Sequence, residues 1–498
     1  MKIAYIGLDV GTSSCKANVI DTEGNILASA RREYGFVYPG PDMVELDPAV
    51  VWNNVCEVLA EIANIGNDVE IRLLAVSSIG EAMVMIDKAG NVLRNGITYL
   101  DQRGPETVPY IRSVMKDDIL LGKTGIPLNL TRTLSRYIWL MDNQPDILEK
   151  TDHYFLFAEY ISYKLTGQRM VDYSSASTSM LFNIRDMEWD REIGESFGIP
   201  LDKFSKVAQT GTVIGEILPE ISEKMGLPKS LRVVLGSHDQ AGALLGSGGV
   251  KAGDIMLGEG STESINLLVN RAEADSILEK NIYLEPYVQD DQYFVPTSNL
   301  IHGNCIRWFL REFWPEVAQK AQKMGMNVYD LADKLCAADS DELFFLPYLA
   351  KTNVSDYNSK ALGGFIGMKI DTTGEQAYRA LLEGLCFESR INFDFLDRMH
   401  FSYNNIIATG GCSYSDLYMQ MKADILKQPV YVLKNRDAGT AALAMVCSVA
   451  DGFYSNYDEA AKAFVKIEKE FVPRNDYEEK YQKYQIVSKT IKQLYEQI

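Results

Sequence analysis

The sequence predicts an α/β protein of two similarly built halves, residues 1–249 and 250–498. Three observations carry this. Each half opens on a strand, a polar glycine turn and a second strand; short apolar strands alternate with helices of 3.6-residue period; and Gly246-Ser247-Gly248-Gly249 breaks the chain almost at its midpoint. In order, residues 3–8, 16–20 and 26–30 read as strands, joined by Gly11-Thr12-Ser13-Ser14 and by a turn at 21–25. A helix follows at 48–65 with Val51, Val55, Leu59 and Ile62 on one face, then a strand at 72–77. Helices are predicted at 134–141 and 157–165, and a strand at 232–235 runs through Gly236-Ser237-His238-Asp239-Gln240 into a small-residue helix at 241–245. The second half begins with strands at 254–257 and 264–269 around Gly258-Glu259-Gly260-Ser261-Thr262. Strand 406–409, the turn Gly410 to Ser415, helix 416–426 and strand 429–432 form a βαβ unit, and a helix at 477–494 follows.

Composition narrows the function. Lys plus Arg number 49 and Asp plus Glu 68 in 498 residues, a net charge of -19, and no basic run supplies the footprint that nucleic acid or an anionic membrane requires. No apolar stretch approaches the roughly 20 residues of a membrane span, and the N-terminus lacks the apolar core of a signal peptide, so a cytoplasmic location is expected. Seven scattered cysteines without C-x-x-C read as reduced, buried thiols. The four histidines show no metal-protease spacing, and no G-x-S-x-G elbow occurs.

Several residues could carry chemistry. Asp9 ends an apolar strand before Gly11, Thr12 and Ser13, whose amides and hydroxyls suit a phosphate while the carboxylate suits Mg2+; an ordinary hairpin turn is the competing reading. Gly410-Gly411 lies between a strand and a helix, where free amides attract an anion, or where Ser413 or Ser415 simply caps the helix. Gly260-Ser261-Thr262 carries the same two readings. Asp239, at a strand-to-helix junction, suits a general base or an N-cap, and His238 beside it is expected to be a packing residue.

Taken together, Asp9-Val10-Gly11-Thr12-Ser13-Ser14, Gly236 to Gly242, Gly260-Ser261-Thr262, and Gly410-Gly411 with Ser415, Gln420, Ala423 and Asp424 resemble the FGGY carbohydrate kinases, nearest their xylulokinase-like branch. Leu165-Thr166-Gly167, the stretch 172–177 and the stretch 379–384 are similar to that family as well. The resemblance implies two actin-like, ribonuclease H-like domains around a catalytic cleft, with the sugar and the catalytic base on the first and ATP on the second. It implies ATP and Mg2+ as cofactors and transfer of the γ-phosphoryl group to a sugar hydroxyl. Position by position, it makes Asp239 the base and Asp9 the metal-associated acid. Gly11, Thr12 and Ser13 become the first phosphate loop, Gly260 and Ser261 the second, and Gly410, Gly411 and Ser415 the nucleotide site. Glu81, Asp101, Arg103 and Gln240 become sugar contacts. The expected partner is a small sugar or polyol, with a homodimer left open, and Gly246 to Gly249 is the candidate hinge. Two departures bear on specificity. Ile79-Gly80-Glu81-Ala82 stands where xylulose kinases show Q-M-H-G, and Ala350-Lys351-Thr352-Asn353 replaces a G-x-R-x-P stretch. A ketose such as xylulose is therefore one reading, a glycerol- or erythritol-type polyol another, and an actin-like ATPase scaffold a third.

Overall fold

The computed structural model describes residues 1–66, 68–349 and 360–497; the departure at 350–353 lies outside them. The chain divides into two compact units, the first made of Met1–Ala252, Leu268–Val295 and Asp437–Val465, the second of Gly253–Leu267, Pro296–Arg436 and Lys466–Ile498. The first unit thus includes two segments from beyond residue 250.

Its sheet is built from β1 (Lys2–Val10), β2 (Ser14–Asp21), β3 (Ile26–Glu33), β4 (Val69–Ser78), β5 (Val213–Glu216) and β6 (Arg232–His238), in the order β5-β6-β4-β1-β2-β3. β1 pairs antiparallel with β2 and parallel with β4, which pairs parallel with β6. Alternation along β1 splits its side chains between the two faces. Ala4, Ile6 and Leu8 join a core with Val51, Val55, Leu59 and Ile62 of the helix Pro48–Ile62. That helix starts as its sequence dictates: Asp47 accepts hydrogen bonds from the amides of Ala49 and Val50, and Pro48 occupies the first turn.

The other face is covered by the helix Ala438–Ala450, which follows the polar stretch at 434–437 and is small-residue rich. It lies so close that a Cβ on Gly7 would come within 2.4 Å of the Thr440 carbonyl oxygen, and one on Gly246 within 1.8 Å of the Ala438 carbonyl oxygen. The glycine break at 246–249 is therefore a place of tight packing. The chain passes between units three residues later, at Ala252/Gly253.

In the second unit, β7 (Ile255–Glu259), β8 (Glu263–Asn270), β9 (Gln292–Asn299), β10 (Ile406–Thr409), β11 (Val430–Leu433) and β12 (Ile467–Phe471) follow the order β9-β8-β7-β10-β11-β12. β8 and β9 each begin or end in the first unit's segments. β7 repeats the setting of β1, with an antiparallel hairpin partner on one side and a parallel strand on the other. The order β3-β2-β1-β4-β6 thus recurs as β9-β8-β7-β10-β11, the doubled ribonuclease H-like, actin-like arrangement. No helix among the described residues is long and apolar enough to cross a membrane.

Candidate active site

The C-terminal end of β1 carries Asp9. Register places Ser77 of β4 beside it and Lys16 of β2 opposite, and the Ser77 hydroxyl donates to Asp9 Oδ1 at 2.8 Å. Lys16 is ion-paired with Asp437, which precedes the helix Ala438–Ala450. Asn18 donates to Asp437 Oδ2 at 2.9 Å and to Thr440 Oγ1 at 2.8 Å. The backbone at Gly439 faces Asp9: a Cβ there would sit 3.8 Å from its carboxyl group. Burial, with the charges of Asp239 and Asp437, pushes the Asp9 carboxyl up to about 7, against the opposing pull of Ser77 and Lys16. A carboxyl raised in the folded state stabilises the fold below its unfolded pKa, and that contribution is lost as pH rises through the folded value. Urea titrations without added cation should therefore show Asp9→Asn gaining stability over the parent as pH rises from about 5 to about 7; equal pH slopes in the two proteins would contradict a raised Asp9 carboxyl.

The turn after β1 holds Gly11, Thr12 and Ser13. The Gly11 amide donates to the Ser14 carbonyl at 2.9 Å, and its own carbonyl accepts from the Tyr34 hydroxyl at 2.6 Å. Tyr99 borders this turn: its phenol is pushed up by desolvation and by Asp239 and Glu81, while a Thr12 hydrogen bond pulls it down.

At the end of β6, the helix begins at Asp239, two residues earlier than its small-residue run suggests, and spans Asp239–Gly246. Asp239 is thus the first helical residue, and no side chain caps this helix. Its carboxylate is one third exposed, with Oδ1 3.0 Å from His238 Nε2. His238 Nδ1 lies 3.2 Å from Glu285 Oε2, and Glu285 Oε1 accepts a hydrogen bond from the Tyr283 hydroxyl. Arg132 donates to that hydroxyl at 2.7 Å, stacks over the Tyr283 ring, and sits 3.7 Å from Glu81 Oε1. Gln240 follows Asp239, half-buried. Glu81 and Asp239 are thus joined by residues the sequence reading passed over, Arg132, Tyr283, Glu285 and a His238 that is not mere packing, while Asp437, also passed over, lies in the charge environment of Asp9.

Asp101 and Arg103 belong to a different, buried network. Asp101 accepts from the Val44 amide at 2.7 Å and from the Arg103 amide and Nε at 2.9 Å, with Arg136 Nη1 at 3.5 Å. Arg103 reaches Glu45 at 2.9 Å and lies over the Trp139 ring. Asp101 is wholly buried and Arg103 nearly so, and these paired charges hold the segment together.

In the second unit the turns at 260 and 410 meet. Gly410 has a positive φ of 86°, and a Cβ there would lie 2.8 Å from the Glu259 carbonyl oxygen. The amide of Gly303 donates to the Gly260 carbonyl at 3.0 Å, and that of His302 to the Ser261 carbonyl at 2.9 Å. Gly411 is exposed with open space around it. Ser415 caps the helix Asp416–Leu426 by accepting from the Tyr418 amide at 3.0 Å.

Beneath these turns lie Glu259, Glu263, His302 and Lys422, with wholly buried side chains. Lys422 Nζ is 3.0 Å from Glu259 Oε1 and 2.6 Å from Glu263 Oε1, and His302 Nε2 is 2.6 Å from Glu259 Oε2. The two carboxylates and the imidazole have the spacing of a metal site, but the ammonium of Lys422 supplies the cation. Burial works against the Glu259 charge; Lys422 and His302 outweigh it and hold that carboxyl well below its usual range.

Comparison with known proteins agrees with this arrangement. Residues 4–246 match the N-terminal domain of the FGGY family of carbohydrate kinases, and residues 263–451 match its C-terminal domain. A gluconokinase of Bacillus licheniformis is 27% identical, over 91% of this chain and 88% of its own length. A glycerol kinase of Thermococcus gammatolerans is 28% identical, over 96% and 95%. The crystal structure of a xylulose kinase from Rhodospirillum rubrum superposes with a TM-score of 0.88 at 25% identity, covering 99% of this chain and 100% of that one. With both domains matched in order over most of its length, the chain belongs to the FGGY family of carbohydrate kinases, ATP-dependent phosphotransferases acting on small sugars.

Proposed function

We propose that this kinase transfers the γ-phosphoryl group of ATP to a hydroxyl of an uncharged sugar or polyol, a ketose such as xylulose being the first candidate, with Asp239 as general base. The observation that carries the reading is the placement of Asp239: partly exposed, uncommitted to capping, and held from one side by His238. As the acceptor oxygen forms its bond to the γ-phosphorus, Asp239 takes the hydroxyl proton and the bond to the β-phosphate oxygen breaks, releasing ADP. The turns at Gly11 to Ser13, Gly260-Ser261 and Gly410-Gly411 suit phosphates; the Gly11 and Gly260 amides are taken by backbone carbonyls, so the amides after them would serve, and an acidic protein can thus bind an anion through backbone dipoles without a lysine. Burial first, then the charges of Asp239 and Asp437, raise the Asp9 carboxyl despite Ser77 and Lys16, and such a group of hard oxygen donors fits Mg2+. Asp9, with Asp437 nearby, would hold that ion, which when bound offsets charge on phosphoryl oxygens. Dependence on ATP supports a cytoplasmic location.

The charge around Asp239 supports an uncharged acceptor. Arg132 faces Glu81 and, through Tyr283, Glu285; His238 faces Asp239 and Glu285; Lys16 faces Asp437. A substrate carboxylate would have to compete for cations already matched by acids, and would meet Asp239 itself. ADP release should be measured with MgATP against ketopentoses, deoxyketoses, glycerol, tetritols and aldonates. A neutral compound is expected to exceed every aldonate by roughly 10²-fold or more in kcat/KM, since rejection by unpaired buried polar groups can reach roughly 10⁴-fold. An aldonate as best substrate would overturn the uncharged reading, and ADP release indifferent to every compound would favour an ATPase scaffold.

A further inference from the structure

We infer that His238 is a positioning residue: clamped between Glu285 and Asp239, it fixes one oxygen of the Asp239 carboxylate and leaves the other to the acceptor hydroxyl. The inference rests on Asp239 being the base.

The clamp is anchored at each point. His238 is the last residue of β6, and its amide donates to Ser174 Oγ at 2.9 Å, while that hydroxyl is itself held by Asp172 Oδ1 at 2.5 Å. The backbone is thus pinned just before the helix Asp239–Gly246 starts. The imidazole is buried, and each ring nitrogen faces a carboxylate oxygen, Nδ1 at 3.2 Å from Glu285 and Nε2 at 3.0 Å from Asp239. Only the imidazolium form donates at both nitrogens. Burial alone would lower its pKa; the charges of Asp239 and Glu285 outweigh that and hold it well above the ordinary histidine value.

Glu285 is 2% exposed and committed at both oxygens, to His238 and to Tyr283, whose hydroxyl accepts from Arg132. A continuous chain therefore runs from Arg132 and Glu81 to the base. At Asp239 the imidazole engages Oδ1, and Oδ2 has no hydrogen-bond partner among the described residues. A carboxylate tethered by one oxygen keeps a lone pair aimed at a fixed point, which is what proton abstraction in a near-attack geometry needs.

His238→Ala, His238→Gln and Asp239→Asn should be compared in the ADP-release assay with the best acceptor found above, following kcat, both KM values and the pH profile, with thermal melts as a folding control. His238→Ala should lose roughly 10²-fold in kcat with both KM values within about threefold, the cost of a misdirected reacting group. Its acid limb should move to higher pH, because Asp239 loses a neighbouring cation and takes up its proton more readily. His238→Gln, which keeps an N–H donor without the charge, should recover most of kcat yet retain the shifted limb. If Asp239→Asn is inactive while the His238 variants keep both the parental kcat and the parental limb, positioning is refuted and the base stands. An active Asp239→Asn would remove the base and this inference together. Should His238→Ala fail to fold, the acid limb of His238→Gln decides, and an unshifted limb refutes the clamp.

Discussion

Asp239→Asn is expected to lower kcat by about 10³-fold or more while leaving affinity for a non-hydrolysable ATP analogue within about a factor of two. The carboxamide has nearly the same shape and can still accept from His238 through its oxygen, so the packing at the start of the helix Asp239–Gly246 is preserved. What is lost is the capacity to take a proton from the acceptor hydroxyl, and with it the pKa match on which general-base catalysis depends. Calorimetry with the analogue and a coupled ADP assay on the same preparation separate the two quantities. A variant retaining a tenth of the parental rate would assign the proton to another group.

Lys422→Met is expected to destabilise the protein by roughly 3–5 kcal/mol, the cost of leaving buried carboxylates without their counter-charge. Lys422 is the central cation for Glu259 and Glu263, and it also lies 2.7 Å from Ser389 Oγ, whose hydroxyl donates to Glu263 Oε1 at 2.6 Å. A methionine fills similar volume, so the loss is electrostatic rather than a cavity. Because the backbone of Glu259 directly supports Gly410, the variant should also bind ATP more weakly wherever it remains folded. Urea denaturation followed by fluorescence measures the first effect; a loss below about 1 kcal/mol, the scale of an exposed pair, would mean that the cluster is not sealed from solvent.

Much of the fold was legible because its signals are local. The strand-turn-strand openings at 9–14 and 259–263, the helix Pro48–Ile62 with Asp47 before it, and the βαβ unit from Ile406 onward depend on alternation, capping residues and glycine turns within a few positions of each other. The ends of strands, where Asp9 and Asp239 stand, could be read in the same way. The partners of those acids could not. Glu285 lies 47 residues from His238, Tyr283 lies 151 from Arg132, and Asp437 lies 421 from Lys16, separations that only the folded topology brings together. The surroundings of Asp101 and Arg103 were equally out of reach, since Arg136, Glu45 and Trp139 come to them from distant positions. The glycines at 246 and 249 looked like slack in the chain, yet at 246 the missing Cβ is what lets the helix Ala438–Ala450 approach.

That helix has a consequence for the order in which the protein can be made. It completes one face of the first sheet and brings Asp437 to Lys16, yet it is translated after most of the second unit. At about 5–20 residues per second, the nascent chain waits on the order of tens of seconds between the emergence of β6 and the arrival of residues 438–450. During that interval Gly7 and Gly246 lack the helix that closes over them, and the first unit carries an open apolar face on the ribosome. The half that bears the base can therefore finish folding only after most of the second unit has been made.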